Sequence, residues 1–234
     1  MHNSEETTHP LPLELHNVSR EFGSGARQVT ALKEANLQLH PGKLIAIMGP
    51  SGSGKSTLLN VAGLLLPPTS GRVLVHGEDA AGLSKSAAAQ LRRRNLGFVF
   101  QDFSLVPTLS IGENVTLPLE LDGVSPKKCR EAAEIALAEV GLENVADRFP
   151  EEISGGQAQR AAIARALIGP RPGLLADEPT GALDTATSEE VMKVLRSRID
   201  AGAAGLLVTH EPRFAAWADS VVMMRDGVLS GKEH

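Results

Sequence analysis

Residues Gly49 to Thr57 read GPSGSGKST, and the reading of the whole chain turns on them. An apolar run, Leu44 to Met48, leads in, and Leu58, Leu59, Val61 and Ala62 follow at helical spacing. Strand, glycine-rich loop and helix, with Lys55 and Ser56 at the junction, match G-x-x-x-x-G-K-[ST], a phosphate-binding loop. Gly49, Gly52 and Gly54 let the backbone turn tightly enough for its N–H groups to surround phosphate oxygens. The helix that starts there adds its positive end. Lys55 brings a mobile cation to the β- and γ-phosphates, and Ser56 a hydroxyl ligand for Mg²⁺. The candidate binding segment is Gly49, Pro50, Ser51, Gly52, Ser53, Gly54, Lys55, Ser56 and Thr57, and the ligand it predicts is a nucleoside triphosphate.

Composition narrows the company such a site keeps. The chain has 234 residues, room for one domain with an elaboration and a large core. Its formal charge of −5 argues against a general nucleic-acid binder. The one basic run, Arg92-Arg93-Arg94, reads as a solvated helix end. Cys129 stands alone, so neither a disulfide framework nor a cysteine-based metal site is expected. Residues 1–12, MHNSEETTHPLP, are expected to form a mobile tail, with His2 and His9 open to solvent. No apolar run approaches the roughly 20 residues that span a bilayer, so any membrane role calls for a partner.

Before the loop, Leu13 to Val18, Val29 to Leu32 and Ala35 to Leu39 alternate as three short strands of an antiparallel sheet. Phe22 lies in their first connection, either packed or stacking on a base. After the loop helix, Arg72 to Val75 reads as a strand, Ser86 to Arg94 as a helix and Leu96 to Phe100 as a buried strand. Gln101 follows at the carboxyl edge, where open α/β folds bind ligands; a surface glutamine is the other reading. From Asp102 to Arg148 no strand interrupts, and Pro126 to Val140 is helical, so this is read as a helical insertion. Ser154 is a good N-cap for a helix over Gln157 to Leu167. Gly155 and Gly156 each cost that helix about 1 kcal/mol relative to alanine, which suits a helix start that must approach a phosphate. Gly173 to Ala176 is a strand running into Asp177 and Glu178. There Asp177 would hold a metal shell, and Glu178 would orient and polarise an attacking water. Asp184 follows in a loop, and Ser188 to Ile199 is an amphipathic helix. Gly205 to Val208 is a core strand ending at His210, which is either structural or a donor to a γ-phosphate. Val221 to Met224 and Gly227 to Leu229 close as a hairpin.

Together these motifs resemble the nucleotide-binding subunit of an ATP-binding cassette (ABC) transporter, from Leu13 to Leu229. The resemblance rests on GPSGSGKST (Walker A), Gln101 (Q-loop), ISGGQ at Ile153 to Gln157 (signature), LLADEP at Leu174 to Pro179 (Walker B), Ala182-Leu183-Asp184 (D-loop) and His210 (switch histidine). LADEPTGALD and GFVFQDFSLVPTLSIGENVTLPL are similar to the MacB/LolD group, whose ATPases pair with FtsX-like permeases. Ile153 replaces the usual leucine and Ala158 a common glutamine; neither removes a phosphate-contacting group.

The resemblance implies an α/β P-loop NTPase (RecA-like) core with an antiparallel β subdomain and an inserted α-helical subdomain. One ABC domain would span 13–234, with its core at 13–101 and 161–234 and the helical part at about 102–160. ATP and Mg²⁺ are the implied cofactors. Phe22 would stack on adenine. Ser56, Gln101 and Asp177 would contact the ion, and Glu178 would be the catalytic carboxylate, with Lys55, Gln101 and His210 beside it. Ser154, Gly155, Gly156 and Gln157, with Asp184, would serve ATP held by a second copy of the chain. The groove near Gln101 to Leu109 would receive a coupling helix of the permease, on the cytoplasmic face of the membrane. Heme, peptide, lipoprotein or drug export follows from the group, and a cell-division-type regulator that transports nothing is the alternative. A GTPase is disfavoured, since no Asn/Thr-Lys-x-Asp stretch is present, and a DNA-repair or translation ABC protein would need a long coiled coil or two cassettes.

Overall fold

The computed structural model describes residues 10–181 and 183–231. His2, His9 and most of the expected tail lie outside them, as does Ala182 of the expected D-loop. The end of that tail is not loose: Pro12 is buried, and its carbonyl accepts the His76 N–H at 3.2 Å.

Strands β1 (Leu13–Phe22), β2 (Val29–Leu39), β4 (Ser70–Val75) and β5 (Glu78–Asp79) form an antiparallel sheet in the order β2-β1-β4-β5. Two long strands stand where three short ones were expected. Glu34 takes a left-handed backbone (φ 44) that kinks β2 without ending it. Its N–H donates to Ser19 Oγ at 2.9 Å, and Leu32 and Ala35 on either side still pair with Arg20 and Val18. The alternation breaks at this bulge, which reads in sequence as a strand end.

The second sheet holds β3 (Leu44–Met48), β6 (Leu96–Val99), β7 (Gly173–Asp177), β8 (Ala204–Val208), β9 (Ser220–Arg225) and β10 (Val228–Ser230). Its order is β10-β9-β3-β8-β7-β6, parallel throughout except for β10. Runs such as Leu44–Ile47 and Leu206–Val208 are buried without alternation, as parallel strands covered on both faces require. Helices α1 (Lys55–Ala62) and α2 (Lys85–Asn95) belong to one side, where Leu13, Leu39, Ile47, Leu58, Leu59 and Val208 share a core between the sheets. On the other face, α3 (Ile111–Leu121), α4 (Pro126–Glu139), α5 (Gly155–Leu167), α6 (Thr185–Asp200) and α7 (Pro212–Ala215) bring Val115, Leu137, Ile163, Leu195 and Phe214 together. This is the expected α/β P-loop architecture. The boundary expected near residue 160 falls inside α5, which runs unbroken from Gly155 to Leu167.

The basic run is not a solvated helix end. Arg92 donates to Leu64 O at 2.8 Å, Arg93 grips Asp122 at 2.6 Å and Leu121 O at 3.2 Å, and Arg94 reaches the same carboxylate at 3.4 Å. The run closes α2 onto the chain just past α1, through Leu64 O, and onto the last carbonyl of α3, Leu121 O.

Asn114, fully buried on α3, holds the loop that precedes the helix. Its Oδ1 accepts Val106 N–H at 2.7 Å, and its Nδ2 donates to Val106 O, Leu109 O and Ser110 O at 3.0 Å. Asn114→Leu should lower stability by about 2 kcal/mol, since buried backbone groups lose their partner. Urea unfolding should show a lower midpoint at unchanged slope.

Among the described residues no helix is long and apolar enough to cross a membrane.

Candidate nucleotide-binding site

Because β3, β6, β7 and β8 are parallel, the residues just past their carboxyl ends converge. They line a cleft of about 770 Å³ bounded by Ala31, Gly49 to Gly52, Gly54 to Thr57, Gln101, Asp177, Glu178, Val208 and His210. Sequence reasoning placed all of these except Ala31 and Val208, the apolar walls.

The loop is clamped from behind. A Cβ on Gly54 would lie 2.3 Å from Ala31 O, and one on Gly49 2.1 Å from Met224 O. Gly227 N–H, in the β9–β10 turn, donates to Ser53 O at 2.9 Å. The N-cap of α1 is Gly54 with φ 106, so no side chain caps the helix and its first N–H groups face the cleft. Lys55 Nζ donates to Gly49 O at 2.8 Å and Pro50 O at 3.0 Å, which holds the ammonium at the mouth of its own loop. Ser53 Oγ is buried without a partner. An uncapped helix start and a lysine held by its own loop's carbonyls are what a triphosphate would satisfy.

Across the cleft, Asp177 and Ser56 line the same space. Burial pushes the Asp177 carboxyl above the usual range, and Glu178 adds to that, while Ser56 and Lys55 pull it back. Glu178 sits in left-handed backbone (φ 47), with its N–H donated to Val208 O at 2.9 Å. His210 Nδ1 donates to Glu178 Oε1 at 2.8 Å, whereas Glu178 Oε2 is buried without a partner. The bond to Glu178 raises the His210 pKa, although the ring is 66% exposed. One oxygen of this carboxylate therefore orients the histidine and the other remains for a hydrogen-bond donor.

Other candidates stand apart from the cleft. Ser154 caps α5 in a capping box: its Oγ accepts Gln157 N–H, and Gln157 Oε1 accepts Ser154 N–H at 3.0 Å. Ser154 and Gly155 are exposed, and neither they nor Gly156 and Gln157 line the cleft. Asp184 caps α6 through Thr187, whose hydroxyl also lowers its pKa. Phe22 is 38% exposed, with Arg20 over its ring at 4.7 Å. It does not line the cleft either.

The family model described as ABC transporter matches residues 32–181. The chain belongs to the ABC transporter family. It is 47% identical over 217 residues to the macrolide export ATP-binding/permease protein MacB of Salmonella choleraesuis (strain SC-B67), a match covering 93% of this chain and 34% of that one. It is 45% identical over 215 residues to the ABC transporter ATP-binding protein YknY of Bacillus subtilis (strain 168), covering 92% and 94%. The chain thus spans about a third of the length of its MacB relatives and nearly all of YknY. Among solved structures, the ATP-binding cassette MJ0796, a dimer in a post-hydrolysis state bound to ADP and Pi, matches with a TM-score of 0.88 at 39% identity, covering 94% of this chain and 97% of that one. As an ABC cassette the chain is an ATPase using ATP with Mg²⁺. Ser56 hydroxyl, Gln101 amide and Asp177 carboxylate suit that ion, a hard cation that takes oxygen ligands.

Proposed function

We propose that the chain is the ATP-hydrolysing motor of a membrane exporter, working as a head-to-tail dimer on the cytoplasmic face of the membrane with an FtsX-like or MacB-like permease. The carrying observation is at the start of α5. A Cβ on Gly155 would meet only Phe103 Cζ at 3.8 Å, and one on Gly156 only side-chain carbons of Leu183 and Thr187 at 3.7 and 3.9 Å. Alanine fits at both positions within this chain and would favour the helix by about 1 kcal/mol each. Two glycines at an uncrowded helix start, Gly155 exposed and Gly156 half-buried, serve a group brought from outside, and the γ-phosphate of ATP on a second copy matches that helix end in charge.

In the closed dimer, the loop from Gly49 to Thr57 binds the phosphates and Lys55 exchanges its two carbonyls for β- and γ-oxygens. Ser56, Gln101 and Asp177 would hold Mg²⁺, which when bound neutralises charge on those oxygens. Glu178 Oε2 accepts a hydrogen from the attacking water. The water oxygen bonds to the γ-phosphorus as the bond to the β–γ bridging oxygen breaks, leaving ADP and phosphate. His210, held by Glu178 Oε1, donates from its other ring nitrogen to the γ-phosphate. Ser154, Gly155 and Gly156 of the second copy, with Gln157 as their cap and Asp184 nearby, close the site. Phe22, 38% exposed, would stack on adenine.

The export reading and the permease draw on MacB, an export protein that carries a permease in the same polypeptide. Heme, a peptide, a lipoprotein or a drug would be the cargo. Co-expression with a candidate FtsX-like permease should give a complex whose ATPase rises in proteoliposomes with the matching cargo. A chain that binds no such permease would overturn this reading.

A further inference from the structure

Near the far end of the helix that starts with Ser154, Gly155 and Gly156 lies Arg165. Its Nη1 donates to Ser104 O at 2.7 Å and its Nη2 to Phe103 O at 2.9 Å. These residues follow Gln101 by two and three positions, and both adopt left-handed backbone, with φ 54 at Phe103 and φ 50 at Ser104. Consecutive side-chain-bearing residues rarely take that conformation unless something outside them holds it. Burial lowers the Arg165 pKa, and among the described residues no carboxylate pairs with it. A desolvated cation satisfied only by carbonyls is a costly way to anchor a helix, and its fork geometry matches two adjacent acceptors. Arg171 braces the same point, donating to Arg165 O at 2.9 Å, Ala166 O at 3.0 Å and Arg93 O at 3.0 Å.

Six positions earlier on α5, Gln159 is 1% exposed and donates to Pro179 O at 2.7 Å, the carbonyl directly after Glu178. One unbroken helix thus touches both segments that carry the cleft's polar groups, and its N-terminus is the end proposed to meet the partner's nucleotide.

We infer that α5 is a strut between the two nucleotide sites of the dimer, and that Arg165 is its positioning residue for Gln101. The inference rests on the shared-site reading above. When the start of α5 is drawn to the partner's γ-phosphate, the rigid helix carries Arg165 with it, and the paired carbonyls of Phe103 and Ser104 carry Gln101. Arg165 touches neither nucleotide nor ion; it sets where Gln101 stands.

Hydrogen exchange and kinetics on full-length Arg165→Gln and Arg165→Lys test this. In nucleotide-free protein, amides 101–105 should exchange about tenfold faster in both variants, with α5 and β6 as in wild type, because only a local opening is released. Arg165→Lys matters here because it keeps charge and stem while one ammonium cannot span both carbonyls. The kcat for ATP should fall by about tenfold to a hundredfold with KM little changed, the signature of misplacement at a distance. Adding Arg165→Gln to Gln101→Ala should slow turnover no further. Unchanged exchange at 101–105, or losses that add in the double variant, would overturn the strut. A wrong shared-site reading shows itself separately, as normal hydrolysis by Ser154→Arg with the exchange change still present.

Discussion

Glu178→Gln should bind ATP and form an ATP-dependent dimer while turning ATP over at least about a hundredfold more slowly than wild type, the scale of a lost general base. The substitution is close to isosteric, so the left-handed turn at residue 178 and the backbone bond to Val208 O persist. What disappears is the negative charge and one acceptor. Glu178 Oε1 is already engaged by His210 and Oε2 has no protein partner, so the carboxylate has a free lone pair directed into a partly buried place. A glutamine there offers at most one acceptor, and it must divide that between His210 and water. Size-exclusion chromatography with ATP should show a long-lived dimer, since the γ-phosphate that bridges the copies is no longer removed. A variant that hydrolyses at the wild-type rate would remove Glu178 from its role.

Ser154→Arg should leave ATP binding by an isolated chain unchanged while reducing hydrolysis by a comparable factor. Ser154 lies outside the cleft formed by its own chain, so a long side chain there does not reach the loop from Gly49 to Thr57 in cis. Loss of the N-cap costs α5 about 1 kcal/mol, visible as a small drop in Tm. The large effect comes in trans, where a guanidinium stands between the partner's γ-phosphate and the Gly155 and Gly156 N–H groups. Nucleotide binding measured at chain concentrations too low for dimerisation, beside ATPase at high concentration, separates the two. Hydrolysis that survives Ser154→Arg would contradict a shared site.

Much of this was legible because each motif pairs a residue type with a position that chemistry demands. Lys55, Asp177, Glu178 and His210 stand next to apolar runs, and parallel strands necessarily bring those run ends together. Gly155 and Gly156 were legible as a defect, two poor helix formers where a good cap begins a helix. The break read into β2 failed because a bulge at Glu34 interrupts alternation as a loop does, while a side-chain acceptor, Ser19, keeps the strand paired. The arginine run was misread because charge density says nothing of which carbonyls lie nearby, and Leu64 O, Leu121 O and Asp122 come from elements far away in the chain. Asn114, Gln159 and Arg165 left no motif. Gln159 is a polar residue on a helix face that is otherwise buried alanine and isoleucine, the one hint available, and its partner could be found only in three dimensions.

The central claim is that each hydrolytic site is built from two chains, and a mixing experiment tests it most directly. Glu178→Gln and Ser154→Arg chains, each inactive alone, are combined in equal amounts and ATPase is measured. In a head-to-tail dimer, a mixed pair places both defects in one site and leaves the other intact. Half of the dimers are then mixed, and the mixture should recover about a quarter of the wild-type rate, as two-fold symmetry with composite sites requires. A mixture no faster than either variant alone would contradict the account.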